Sequence, residues 1–297
     1  MKRVLLAALL PGLLVACTNG SNDPVTTDEA TATASAEATG TEAVADADTA
    51  LDAAIAGDWR DPANVARDRY RHPAETLAFF GLQPDQTVVE ITPGGGWYAE
   101  ILAPYLRENG RYIAAVVDPT ALPEGGGRDY QQRNKDGLDA KFSATPAQYD
   151  RAEVVAFDPA APQFGPAGSA DLVLTFRNVH NWRADGLAQE MFDGFFEVLK
   201  PGGTLGVVEH RAIADVAADD ETGYVGQDQV IAMAEASGFV LDEKSEINAN
   251  PLDTKDHPNG VWTLPPGNNH DEADAAKYQA IGESDRMTLR FRKPRGE

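Results

Sequence analysis

Val88-Val89-Glu90-Ile91-Thr92-Pro93-Gly94-Gly95-Gly96-Trp97 is the stretch on which the fold turns. Its first half, extended to Thr87 to Thr92, has the apolar and β-branched content of a buried strand. Three glycines follow, and then a helical pattern over Tyr98 to Arg107. A strand that passes into a helix through glycine leaves bare backbone at its carboxyl end, which is where open α/β sheets bind their ligands.

Outward from this unit the same alternation recurs. Further strands are expected at Tyr112 to Val117, Glu153 to Phe157, Asp171 to Phe176, Thr204 to Glu209, Val240 to Ile247 and Met287 to Arg292. Helices are expected at Arg67 to Phe80, with Pro73 early and Gly81 as a stop, at Ala188 to Leu199, and at Gln227 to Ser237. In the second of these, Met191, Phe195, Phe196, Val198 and Leu199 recur at helical spacing and should face a sheet. Strands alternating with helices predict an α/β, Rossmann-like fold of seven strands, doubly wound with helices on both faces.

The ends of the chain read differently. Lys2 and Arg3 precede an apolar run from Val4 to Val15, which has the plan of an export signal and is too short to span a bilayer. Leu14-Val15-Ala16-Cys17 resembles the lipobox of bacterial lipoproteins, which implies lipidation of Cys17, an anchor to a membrane surface, and a domain in the cell envelope facing the periplasm or the outside. Cys17 is the sole cysteine, so no internal disulfide can form. Residues 18–58 are rich in Ala, Thr, Asp and Glu and read as a disordered acidic tether, with order beginning near Trp59 and the folded domain running from 59 to 297. A net charge of -22 argues against a phosphate-tracking surface, so nucleic acid is not an expected partner and a small molecule is. The oligomeric state is not legible, and no metal-ligand set is expected.

Three acids stand at three successive strand ends: Glu90, Asp118 and Asp158. A carboxylate at the second position can accept from both hydroxyls of a ribose, which S-adenosylmethionine and NAD share. Each acid read alone could equally be a solvated loop carboxylate. After the fourth strand comes Phe176-Arg177-Asn178-Val179-His180-Asn181-Trp182, and the fifth ends in Gly206-Val207-Val208-Glu209-His210-Arg211. Histidine is suited to removing a hydroxyl proton near neutrality. His180 is thus a candidate base, a structural or substrate-contacting role being the alternative.

These motifs resemble class I S-adenosylmethionine-dependent methyltransferases, and in particular a family of exported predicted methyltransferases, over nearly all of Trp59 to Pro294. The resemblance implies S-adenosylmethionine as cofactor, held by Glu90, Thr92, Gly94, Gly95, Gly96, Asp118, Asp158 and Asn178. Thr92 stands where the family has glycine. Small-molecule O-methyltransferases pair a His here with a Glu at the end of the fifth strand, which implies His180 as base and Glu209 as its orienting carboxylate. Tyr70, His210, Arg211 and Trp262 are candidate substrate contacts, Arg211 and His210 for an anion. The family's seventh strand lies antiparallel beside the fifth, which would carry the long connection 248–284 over the site. Because S-adenosylmethionine is made in the cytosol, a non-catalytic ligand-binding envelope lipoprotein of the same fold stands as the second reading.

Overall fold

In the computed structural model of this chain residues 47–296 are described; Cys17, the signal segment and most of the acidic tether lie outside them. The first described element is a helix over 47–55 (α1). Its buried residues Ala47, Leu51 and Ala54 fall at i, i+4 and i+7, one helical face. Leu51 and Ala54 join a core cluster with Leu77, Phe80, Leu102 and Leu106. The packed unit therefore starts before Trp59, and the boundary expected at 58 is corrected. A stripe of three apolar residues is enough to dock one short helix, and the Ala- and Asp-rich composition around it concealed the spacing.

The seven expected strands form, as β1 Thr87–Ile91, β2 Arg111–Val117, β3 Glu153–Phe157, β4 Ala170–Phe176, β5 Leu199–His210, β6 Val240–Ser245 and β7 Arg286–Arg292. They make one sheet in the order β3-β2-β1-β4-β5-β7-β6. The first five are mutually parallel, and β7 pairs antiparallel with both β5 and β6. The order reverses direction between β1 and β4, which opens a crevice at the carboxyl ends of these two strands.

Three short helices precede β1: α2 Pro62–Val65, α3 Asp68–Arg71 and α4 Pro73–Phe79. The single helix expected over Arg67 to Phe80 is thus broken at His72, which adopts φ 42° immediately before Pro73. The proline ring disfavours helical geometry in the residue before it, and Pro73 then begins a new helix at its first position. After β1 come α5 Ala99–Leu106, then α6 Gly126–Ala144 and α7 Pro146–Tyr149 ahead of β3. α8 Val179–Ala184 and α9 Ala188–Val198 join β4 to β5, α10 Gln227–Ala236 precedes β6, and α11 Ala275–Ile281 precedes β7.

Two cores cover the two sheet faces. One contains Met191, Phe192, Phe195 and Val198 of α9 with Val230 of α10; the other contains Ile101, Leu102 and Leu106 of α5. Phe196, expected among the buried residues of α9, is only half-buried and packs its ring edge on Phe239 at 5.1 Å.

The connection from β6 to β7 starts and ends at the carboxyl edge of the sheet, because β6 is parallel to β5 and β7 runs back. It is fastened rather than loose. Asp253 accepts from the Tyr224 hydroxyl at 2.9 Å, the backbone N–H of Lys255 at 3.0 Å and that of Asp285 at 2.7 Å, and sits 2.8 Å from Nε2 of His257. Further along, the Val261 amide donates to Thr222 O at 2.9 Å. Gly260 approaches the Thr222 backbone so closely that a Cβ would lie 2.0 Å from its carbonyl oxygen.

Candidate functional site

A cleft of about 780 Å³ opens at the carboxyl ends of β1, β4 and β5 beneath this connection. Its first wall is the glycine turn. Thr92, in place of the family's glycine, takes φ 50°, the left-handed conformation a glycine would adopt freely. A Cβ on Gly94 or Gly95 would meet nothing within 4 Å, so both leave the backbone open to a ligand. Gly96 differs: a Cβ there would come 3.0 Å from Leu138 of α6, and it packs against that helix instead of lining the cleft. Thr92 Oγ1 and Asn134 Nδ2 of α6 line the cleft and are buried without a hydrogen-bond partner. Buried polar atoms are nearly always paired, so two orphans, one on the open backbone turn and one facing it from α6, fit a polar ligand such as an adenosyl group.

Glu90 lines the floor and is 2% exposed, with Oε2 accepting from the Tyr112 hydroxyl at 2.7 Å. Burial pushes its carboxyl up to about 7, against opposing effects of the Tyr112 bond and of Arg177 and Arg71. An acid with a raised folded-state value favours the protonated native state, so its stabilising contribution is full below the unfolded value near 4.5 and is lost as pH rises to about 7. Glu90→Gln removes that titration while keeping an acceptor for Tyr112. We therefore expect its stability relative to the parent chain to rise between pH 4.5 and 7 by on the order of 3 kcal/mol and then level off. Denaturant midpoints measured across that range check this; parallel pH profiles for the two chains would contradict it.

The other two acids behave locally. Asp118 Oδ1 accepts from the Thr120 amide and hydroxyl, both at 2.8 Å, bonds that hold it below the usual carboxylate range. Asp158 Oδ1 accepts from the Ala160 amide at 2.9 Å. Both stand at the expected strand ends, yet neither lines the cleft, although their neighbours Val117 and Pro159 do. A proline one residue after each acid turns the chain tightly there, and the carboxylate serves the turn.

At the end of β4, Asn178 lines the cleft, and its Nδ2 donates to Ile91 O at 3.0 Å and to Thr175 Oγ1 at 3.2 Å, tying β4 to β1. α8 begins next, and fully buried Glu209 at the end of β5 caps it. Oε2 accepts from the amides of Val179 at 2.6 Å and His180 at 3.3 Å, while Oε1 accepts from the His210 amide at 2.7 Å and lies 3.1 Å from His180 Nδ1. A carboxylate only accepts, so Nδ1 carries the proton and Nε2 of a neutral His180 is left as a bare acceptor. The contact expected between His180 and Glu209 is thus formed.

His210 also lines the cleft, with Nδ1 2.5 Å from Ser284 Oγ. Burial, followed by the charges of His180 and Arg286, pushes its pKa well down, so it is neutral at pH 7. Its ring lies 5.3 Å from that of His180, and Trp262 stands edge-on to His180 at 6.0 Å. Ring nitrogens of both histidines and a Glu209 oxygen fall within 4.8 Å of one another, a grouping not foreseen from the sequence. Both Glu209 oxygens are already taken, and nearby guanidinium groups oppose a dication there.

Two expected substrate contacts lie elsewhere. Arg211 is paired with Glu246 at 2.8 Å and Asp285 at 3.0 Å and does not line the cleft. Tyr70 lines a neighbouring cavity of about 500 Å³ with Asn248 and Gln279. In their place the cleft holds Arg67, Arg71, Arg177 and Arg286 around Glu283. Burial and then Arg286 lower Arg177 to about 10, and burial and then Arg177 lower Arg71 as well. Burial pulls Glu283 up, but Arg286 and Arg71 outweigh it and hold the carboxyl at about 2. Sequence reading missed this group because its members come from three distant segments; the spacing of four between Arg67 and Arg71 was the one local signal.

No protein-family model matches the sequence, and no curated protein is similar to it. Among solved structures the chain is similar to an S-adenosylmethionine-dependent methyltransferase from Aquifex aeolicus, with TM-score 0.50 and 15% identity over 78% of this chain and 94% of that one. It is also similar to the 4+2 cyclase SpnF, with TM-score 0.53 and 18% identity over 81% of this chain and 86% of that one. At such identities the likeness is one of architecture, and the two neighbours differ in named activity. Sheet order, antiparallel closing strand and glycine turn together identify the chain as having the seven-stranded, Rossmann-like α/β fold of class I S-adenosylmethionine-dependent methyltransferases.

Proposed function

We propose that this chain is an S-adenosylmethionine-dependent methyltransferase that acts on a small molecule, at an oxygen atom. The observation that carries the proposal is that one cleft joins the open glycine turn to the His180–Glu209 pair. Thr92, Gly94, Gly95, Asn134 and Asn178 are the residues that would hold the donor. When bound, S-adenosylmethionine supplies a methyl group on a sulfonium, which transfers by displacement. The protein's part is to align the acceptor, exclude water and take a proton. His180 Nε2 receives the acceptor's hydroxyl proton, and Glu209 stabilises the imidazolium that results. Trp262 and the segment around it cover the acceptor side.

Calorimetry on the full-length chain with S-adenosylmethionine, S-adenosylhomocysteine and NAD tests the reading. Binding of the two sulfur nucleosides without NAD is the expected result; binding of NAD alone, or of none, overturns it. Donor binding without turnover would favour the non-catalytic lipoprotein. In the same proposal Cys17 carries lipid and holds the domain at a membrane surface, facing the periplasm or the outside, supported by the apolar run and the Leu14-Val15-Ala16-Cys17 sequence. Cys17→Ser should then move the protein from the membrane to the soluble fraction, and unchanged fractionation would remove this part.

A further inference from the structure

We infer that the methyl acceptor is a small polyanion, bearing a phosphate or a pair of carboxylates, received by Arg67, Arg71, Arg177 and Arg286; this rests on the function proposed above. The four guanidinium groups line one side of the cleft, and a single carboxylate serves them. Glu283 accepts from Arg67 Nε at 2.6 Å, from Arg71 Nε at 3.4 Å and from Arg286, while Arg286 Nη1 also donates to Tyr70 O at 3.0 Å and Arg71 lies over the Trp97 ring at 4.7 Å. One carboxylate cannot satisfy that many donors. Arg71 Nη1 and Arg286 Nε are buried without a partner, and the Arg177 side chain donates no hydrogen bond among the described residues. Arg71 and Arg286 are only 3% and 2% exposed, so bulk water solvates their charge poorly. Uncompensated buried charge is strongly unfavourable, and guanidinium forks match the oxygens of phosphates and carboxylates.

The other carboxylates are committed or peripheral. Glu90 accepts from Tyr112, Glu209 is taken by His180 and three backbone amides, and Asp185 is exposed at the rim. Even if Glu90 is counted as ionised, positive charge stays in excess. The donor cannot correct this. S-adenosylmethionine carries a sulfonium and an ammonium against one carboxylate, so it brings further positive charge into the cleft. Neutralisation is left to the acceptor. Ser284, between Glu283 and the arginine-bearing start of β7, contacts His210, which places the cationic side next to the two histidines.

The test is calorimetric titration of inorganic phosphate and of malonate into the full-length chain saturated with S-adenosylhomocysteine. At least one of them should bind, and Arg177→Gln and Arg67→Gln should each weaken that binding by about tenfold or more, with Arg177→Lys less harmful than Arg177→Gln. Affinity for S-adenosylhomocysteine should change by less than about threefold in the same variants. Arg67 is a quarter exposed, so its variant remains informative should Arg177→Gln fail to fold. The inference is overturned if neither anion binds the loaded protein. It is also overturned if the arginine variants weaken S-adenosylhomocysteine but not 5'-methylthioadenosine, since the cluster would then hold the donor's own carboxylate. Arginine-dependent anion binding in a chain that ignores S-adenosylhomocysteine would sustain the anion site and remove the methyl-transfer reading instead.

Discussion

Glu209→Ala is expected to lower the unfolding free energy by on the order of 3 kcal/mol or more. The side chain is fully buried and accepts from three backbone amides and one imidazole, which come from β5 and the first turn of α8. Truncation removes the acceptor of all of those donors at once. Glu209→Gln should recover only part of the loss. Whichever way the amide is turned, its NH2 faces either the Val179 and His180 amides or the His180 ring and His210 amide, donor against donor. Urea unfolding of the three chains measures the order Glu, Gln, Ala. A loss below about 1 kcal/mol for the alanine variant would mean that the capping network is not formed as described.

The second large effect concerns rate. His180→Ala should reduce turnover by about 10²- to 10⁴-fold, the usual contribution of a positioned general base. Folding should suffer little, because the ring is partly exposed and its one strong partner, Glu209, retains its three backbone amides. Affinity for S-adenosylhomocysteine should stay within about threefold of the parent value, since the ring lies on the acceptor side. Release of S-adenosylhomocysteine, with a metabolite extract as acceptor source, measures the rate. Undiminished turnover in the variant would take the proton-accepting role away from His180. His210, neutral and 5.3 Å away, would then be the group to replace next.

Much of the frame was legible because each strand is a short apolar run ended by turn residues, so β1 to β7 fall within a few residues of expectation. Their order in space came from family resemblance, since periodicity carries no information about which strands pair. Helix α6 escaped notice for a physical reason. It buries Leu138 alone, so nineteen residues of helix show no apolar face to read. α1 was lost in a tether-like composition, and the break at His72 needed attention to the residue before proline.

For the site, residues fixed by the backbone path were found: Glu90, Thr92, Gly94, Gly95, Asn178, His180, His210 and Trp262 all line the cleft. Residues whose side chains choose between a ligand and a local partner were not decided by sequence. Asp118 and Asp158 turn to neighbouring amides, and Arg211 to Glu246 and Asp285. The arginine group exists only after β7 inserts beside β5 and brings Arg286 to Arg177.

The chain above the cleft is held by contacts within the protein itself, pinned at Asp253 and pressed onto Thr222. A molecule arriving there need not freeze a floppy segment, so the entropic penalty of association is small. Discrimination then falls to the shape of a ready-made mould and to passage beside Trp262, and free and loaded forms should superimpose closely.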